Sequence, residues 1–318
     1  MGITINQLIF MSTQLACLYS MPTPAATGSE TTAQQAQYYE NGRLFAPYGD
    51  IGSGFKPTAG LSYSLGFANV NCGTMAPVIA QGEPLSSITP LVNQIKAENG
   101  KVVLSLGGAL QSPSGTMPAV CAAKASKSAQ DVADIYQTFV DTYSLEFLDF
   151  DIEGPNVDNA ESLKLRSQAI AILQKKNPSL SISLTLPVAK TGLIASGLAV
   201  LESAKTHGAR IDIVNIMAMN YGGGANLDMG KTAISASEGT LKQIASIGFP
   251  KSPRLGITPM SEVNDIQTEV FSLKDAQTLV DWASKTPEVG FLSFWSVNRD
   301  KTGEFTKILS SFSSSSLP

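Results

Sequence analysis

Histidine is almost missing from this 318-residue chain: His207 is the only one. Catalytic triads and many protein metal sites draw on imidazole, and the chain also lacks CxxC, HExxH and GxSxG spacings. No metal is therefore expected, and no nucleophilic triad. His207 itself closes the helical run "AKTHGAR", where a solvated helix end accounts for it. Charge is sparse as well. Asp, Glu, Lys and Arg make up 15% of the chain, the formal net charge is -4, and no Lys/Arg cluster occurs. Phosphate backbones attract the opposite footprint, so nucleic acid is not an expected partner. With 43% hydrophobic residues and 27 glycines the chain can bury a large core, yet it is too polar for a multispan membrane protein. No membrane partner is expected.

Cysteine is scarce: Cys17, Cys72 and Cys121. The stretch "LIFMSTQLACLYSM" resembles a signal-peptide apolar region and precedes the small-residue segment "PTPAATGSETTA", although no basic residues lead it. Gln14, three positions before Cys17, makes a poor lipoprotein site. Residues 1–40 thus read as a signal peptide or a disordered extension, and secretion is expected. Loss of Cys17 would leave Cys72 and Cys121 as an even pair, which an oxidising compartment would bridge; free buried thiols are the alternative.

What is present is a rhythm. Apolar runs of strand length alternate with helical patterns: "RLFAPYGDI" (43–51), "SYSLGFANVN" (62–71), "KVVLSLGG" (101–108), "LEFLDFDIE" (145–153), "SISLTLPV" (181–188), "IDIVNIMAMNY" (211–221), "RLGITPMS" (254–261) and "GFLSFWSV" (290–297). Helices are predicted over 128–144, 160–176, 193–207 and 273–285, the third stopped by Gly208 and the last capped by Ser272. Eight such units in about 250–270 residues predict an α/β TIM (β/α)8 barrel as a single domain over residues 41–312, followed by a Ser-rich tail, 313–318. A doubly wound sheet is the runner-up, but "GSGFKP" puts proline where a dinucleotide fingerprint needs glycine, and no cofactor is expected. Cys72 and Cys121 follow the second and third strands, which puts them in adjacent loops on the active face of the expected barrel, with Cα atoms within about 7 Å if bridged.

The fourth run carries the chemistry. Side chains alternate across a strand, so Asp149, Asp151 and Glu153 share one face and Leu148, Phe150 and Ile152 the other. In a barrel the carboxylates point inward, and Glu153 reaches the C-terminal mouth where such enzymes keep their active sites. Crowded carboxylates cannot all ionise cheaply, so at least one is held protonated toward neutral pH and can act as a general acid. A solvated acidic edge or a cation site is the alternative, disfavoured by the apolar interleaving.

"EFLDFDIE" resembles the signature Asp-x-x-Asp-x-Asp-x-Glu of family 18 glycoside hydrolases, the bacterial-type and fungal chitinases. "LSLGG" (104–108), "MAMNY" (217–221) and "SFWS" (293–296) extend the resemblance across the barrel. It implies that Glu153 donates the proton, that Asp151 supports the substrate's acetamido group, and that Asp149 is the inner partner of Asp151. It further implies that Tyr221 bonds the acetamido carbonyl and that Trp295 forms the floor under the sugar. The implied mechanism is substrate-assisted retention on chitin or chitooligosaccharides, with the acetamido oxygen as nucleophile.

Two departures stand out. Glu146 replaces the first Asp and is expected deepest in the barrel in a structural role. Asn220 occupies a slot where related sequences often carry Asp, which predicts a charge missing beside the acetamido site and slower turnover. Because strict alternation puts Asn220 opposite Tyr221, its approach to substrate needs a bulge or twist. Met217, Met219 and Met260 are further candidates for the sugar pocket, and Asp50 a weaker one by position; Trp282 is read as outer packing. An endo-β-N-acetylglucosaminidase and a chitin-binding lectin are the alternatives, the latter disfavoured by the intact acidic row. A monomer with an open cleft, suited to endo action, is expected, since only about 28 residues separate the last two strands and leave little room for an inserted domain.

Overall fold

Strands that need cover on both faces pair in parallel and take helices on the outside. The structure, a computed structural model, describes residues 42–80, 82–109, 115–154, 159–224 and 226–314. In it the eight runs form one parallel TIM barrel. Strand 1 is Leu44–Phe45 continued by Tyr48–Asp50, and strands 2 to 8 are Tyr63–Val70, Val102–Gly107, Phe147–Asp151, Ser181–Ala189, Ile213–Ala218, Arg254–Pro259 and Val289–Leu292. The ring closes through the two halves of strand 1: Leu44 and Phe45 pair with strand 8, while Tyr48 to Asp50 pair with strand 2.

That break corrects the continuous first strand of the sequence reading. Pro47 sits at it and has no N–H to donate to a ladder. The first βα unit differs too, since only the 3-10 turn Ile51–Ser53 follows strand 1. The four helices read from the sequence appear where the periodicity places them, and Thr89–Ala97 and Met229–Ile247 add to them after strands 2 and 6. Ala129–Tyr143 and Leu273–Ala283 both start in capping boxes, Ser128 with Asp131 and Ser272 with Asp275. In each, two otherwise orphaned N–H groups are satisfied at the helix start. Ala195–Thr206 ends at His207, whose Nδ1 lies 2.9 Å from the Ser203 carbonyl oxygen, and Gly208 follows with φ 73°. Trp282 packs half-buried against the outer core, as its helical context predicts.

Four strands end two or more residues before their predicted C-terminal ends. The regular strand ends at Asp151 in the fourth, Ala218 in the sixth, Pro259 in the seventh and Leu292 in the eighth, although Met260 and Trp295 still bridge the last two. Beyond these ends Glu153, Met219, Asn220, Met260 and Trp295 line the mouth.

The barrel interior is layered. At the bottom Leu44, Ala46, Val103, Phe147, Ile213 and Phe291 form a closed apolar cluster. Outside the strands Leu148, Phe150 and Ile152 are fully buried in the main core beneath the helices, with the Tyr136 ring edge-on to Phe150 at 5.0 Å. Glu146 is not deep. It immediately precedes strand 4 on the outward-facing parity, half-exposed, and pairs with Lys101 at 3.0 Å. Phe147, one residue on, takes the interior position instead.

Cys72 and Cys121 form a disulfide, with Cα atoms 5.1 Å apart and a sequence separation of 49 residues. Closing a loop of that size removes about 4 kcal/mol of unfolded-state entropy in the chain-entropy picture. Cys121 lies in the short helix Pro118–Lys124 rather than in a loop. The predicted signal segment with Cys17, and the tail beyond Ser314, lie outside the described residues; Ser313 and Ser314 end a short helix, Ser311–Ser314. Among the described residues no helix is long and apolar enough to cross a membrane.

Candidate active site

Parallel register fixes which side chains meet. Ser105 lies level with Asp149 and Asp149 with Ser183; one layer higher Gly107, Asp151 and Thr185 align. Asp149 is 2% exposed, a position where an unpaired carboxylate would be prohibitive. Four hydroxyls donate to it: Ser183 Oγ at 2.5 Å, Ser105 Oγ at 2.6 Å, and Tyr48 Oη and Thr185 Oγ1 at 2.9 Å each. Burial still raises its pKa above the usual range, and these hydrogen bonds oppose the rise. The network continues around the wall through Asn215 Nδ2, which donates to Thr185 Oγ1, and Thr258 Oγ1, which donates to Asn215 Oδ1, both at 2.9 Å.

Asp151 stands one layer nearer the mouth, 4% exposed. Its carboxyl is within hydrogen-bonding reach of Glu153, and burial, then the charges of Glu153 and Asp149, push its pKa well above the ordinary value. Its Oδ1 has no hydrogen-bond partner among the described residues. Glu153 is only half-buried. Burial raises its pKa, the hydrogen bond with Asp151 lowers it, and the charge of Asp265 raises it again. The row therefore holds a proton that its outer member can present at the mouth.

Strand 3 allows the carboxylate row its closeness. Gly107 has φ 116°, and a Cβ there would come 2.1 Å from the Asp151 carbonyl oxygen, so only glycine fits. Gly108, at φ 85°, donates its N–H to that same oxygen at 3.2 Å.

Above the row opens a cavity of about 470 Å³. Glu153, Asp151, Trp295, Asn220, Met217, Met219 and Met260 all line it, and so does Asp50. Trp295 forms one wall, stacked on Phe67 with centroids 5.5 Å apart and 16° between planes. Asp149 lies beneath the wall, reaching the cavity through Tyr48 and Thr185, which line it. Tyr221 is not in the wall. Its hydroxyl is buried and unpartnered among the described residues, and burial followed by the Glu269 carboxylate pushes its pKa far above the ordinary value. The reason is local. Strand 6 ends at Ala218, Met219 donates its N–H back to the Met217 carbonyl at 2.9 Å, and Asn220 turns left-handed at φ 54°. Alternation fails there, so Asn220 takes the wall position and Tyr221 turns away.

Asp265, Tyr48, Phe67 and Thr185 also line the cavity and were not singled out from the sequence. Thr185 had a legible signal: small polar residues spaced two apart within otherwise apolar strands, as in Ser183 and Thr185, mark an inward polar layer. Asp265 had none. It sits in the small hairpin Glu262–Val263/Val270–Phe271, far in sequence from every motif.

Comparison with known proteins agrees with this geometry. The model of "Glycosyl hydrolases family 18" matches residues 34–286. Endochitinase 11 of Metarhizium anisopliae is 34% identical over 257 residues, 75% of this chain and 46% of that protein. A probable bifunctional chitinase/lysozyme of Escherichia coli K12 is 35% identical over 230 residues, 67% of this chain and 24% of that protein. The chain thus spans less than half the length of either relative. The catalytic domain of a hyperthermophilic chitinase from Pyrococcus furiosus superposes with a TM-score of 0.73 at 30% identity, covering 86% of this chain and 95% of that domain. The barrel, the acidic row beneath its mouth and these matches together show that this chain belongs to glycosyl hydrolase family 18.

Proposed function

We propose that this chain is a chitinase that hydrolyses β-1,4-linked N-acetylglucosamine polymers with retention, using the substrate's own acetamido group as nucleophile. The observation that carries it is the stacked row Asp149, Asp151, Glu153, all three with raised pKa values under one cavity. Glu153 protonates the glycosidic oxygen while the acetamido oxygen attacks the anomeric carbon; the bond to the leaving sugar breaks and an oxazolinium forms. The unpartnered Oδ1 of Asp151 is a ready acceptor for the acetamido N–H, and a negative Asp151 offsets the cation. Water then opens the ring, giving its proton back to Glu153.

Support for a polymeric substrate comes from a second cavity of about 630 Å³ that shares Asp50 and Phe67 with the first. A chain extending past the cleaved bond has room there, which suits an open cleft and endo action. A crystal form of the Pyrococcus furiosus chitinase was solved with chito-oligosaccharides; that domain is 30% identical to this chain, with a TM-score of 0.72. The disulfide favours a secreted protein, since such bonds persist in oxidising compartments. We further propose that it acts as a monomer.

The test pairs two substrates. Release of chitobiose from colloidal chitin, with the β-anomer first in the NMR spectrum of fresh product, is expected. Cleavage of a high-mannose glycoprotein with no action on chitin would instead make the chain an endo-β-N-acetylglucosaminidase. Binding without cleavage of either would make it a lectin.

A further inference from the structure

The carboxylate that the sixth-strand motif lacks at Asn220 is present in the same wall, on another element. Asn220 Nδ2 donates to Asp265 Oδ2 at 2.8 Å, and Asn220 Oδ1 accepts the Ile266 N–H at 3.2 Å. The amide thus grips the hairpin tip with both ends. Asn264 secures the tip from behind: its Oδ1 accepts the Asn220 N–H at 3.3 Å, and its Nδ2 donates to the Met260 carbonyl at 3.0 Å. Glu269, fully buried, accepts the N–H groups of Tyr221 and Gly223 at 2.8 and 2.9 Å. Arg299 donates to the Ser261 carbonyl at 3.0 Å at the base of the hairpin. Asp265 is exposed to solvent, yet this frame fixes it in a cavity wall shared with Glu153, Asp151 and Trp295.

We propose that Asp265 is the electrostatic positioning residue of this cleft: held by Asn220, it keeps the proton on Glu153 and places a negative charge opposite the cationic intermediate. The proposal rests on the chitinase reading of the cleft for its second half only. An asparagine at position 220 is then a requirement rather than a defect. Asp there would set two carboxylates at hydrogen-bond distance with no donor between them. This revises the expectation of a missing charge: the charge lies 45 residues further along the chain.

The groups facing Glu153 can be named from each side. Strand 4 contributes Asp151 and, beneath it, Asp149; the hairpin contributes Asp265; Tyr48 and Asp50 of strand 1 also line the cavity. Among the described residues no Lys or Arg lines the cavity. Asp265 is the member outside the row whose charge acts on Glu153, and its removal leaves the row and its hydroxyl network intact. The Asp265 charge acts to raise the Glu153 pKa, so its loss must lower it.

The test uses the whole chain and four variants: Asp265→Asn, Asp265→Ala, Asn220→Asp and the exchange Asn220→Asp/Asp265→Asn. Glu153 is titrated by 13C NMR of its labelled carboxyl without substrate, and turnover of a soluble chitooligosaccharide is followed across pH. Expected is a Glu153 midpoint lower by about half a pH unit or more in Asp265→Asn and Asp265→Ala alike, as loss of a like charge requires. The alkaline limb of turnover should move with it, and turnover should fall about tenfold as a transition-state effect. The exchange variant should recover most of both, while Asn220→Asp alone, which keeps Asp265 but sets two carboxylates against each other, should lose activity without lowering the Glu153 midpoint. An unmoved Glu153 midpoint in both Asp265 variants overturns the proposal. So does a shift in the Ala variant only, which would mean the hydrogen bond rather than the charge matters. A wild-type chain inactive on chitooligosaccharides would refute the chitinase reading while the NMR titration still decides the coupling.

Discussion

The same strands build two layers of opposite character inside one barrel. Near the N-terminal ends Leu44, Ala46, Val103, Phe147, Ile213 and Phe291 meet as hydrocarbon. Just above them Tyr48, Ser105, Asp149, Ser183, Thr185, Asn215 and Thr258 meet as a hydrogen-bonded network. The lower layer needs only shape, since apolar burial is non-directional. The upper one needs every donor matched, because an unmatched buried group costs its full desolvation. Packing indifferent to chemistry lies below, and the carboxylates with raised pKa values are confined to the few residues above it.

Replacing the proton donor should divide the two layers most sharply. Glu153→Gln is expected to cut turnover by about 10³-fold or more, since an amide cannot protonate the leaving oxygen; retention of a tenth of the wild-type rate would remove Glu153 from that role. The same variant should be more heat-stable than the wild type at neutral pH. The sign follows from linkage: burial raises the folded pKa values of Glu153 and Asp151, so the folded state binds more protons than the unfolded one. Stability therefore falls as pH rises from the unfolded carboxylate pKa, about 4, through the raised folded value. Melting temperatures of Glu153→Gln and wild type should converge near pH 4 and separate above it.

The lower layer should respond in stability alone. Phe147→Ala opens a cavity in the apolar plug and is expected to cost about 3–4 kcal/mol in chemical denaturation. The pH dependence of whatever activity remains should match the wild type; a displaced profile would mean that the two layers are coupled.

Ser183→Ala is the smallest change and probes the network. Losing the 2.5 Å bond to Asp149 should cost about 1 kcal/mol. Because that bond lowers the Asp149 pKa, its loss raises it, and the acid limb of activity should move to higher pH. An unchanged limb would show that the other three hydroxyls suffice.

Much of this was legible in the residues. Periodicity of two put Asp149, Asp151 and Glu153 inward and Leu148, Phe150 and Ile152 outward, and both faces are occupied as that alternation requires. Cysteine parity and strand order led to the Cys72–Cys121 pair. What alternation could not foresee is where it ends. At Asn220 a left-handed residue reverses the expected faces, taking Tyr221 out of the wall and bringing Asn220 in.

Local pattern determined the barrel, its acidic strand and the candidate proton donor, because hydrophobic period and like-charge crowding act between near neighbours in sequence. Tertiary structure alone decided the partners of those groups. Asp149 is matched by hydroxyls from strands 1, 3 and 5, and Glu153 is charged against by Asp265, from a hairpin more than a hundred residues away. Electrostatic and hydrogen-bond energies depend on distance in space, and closing the barrel is what converts separation along the chain into contact.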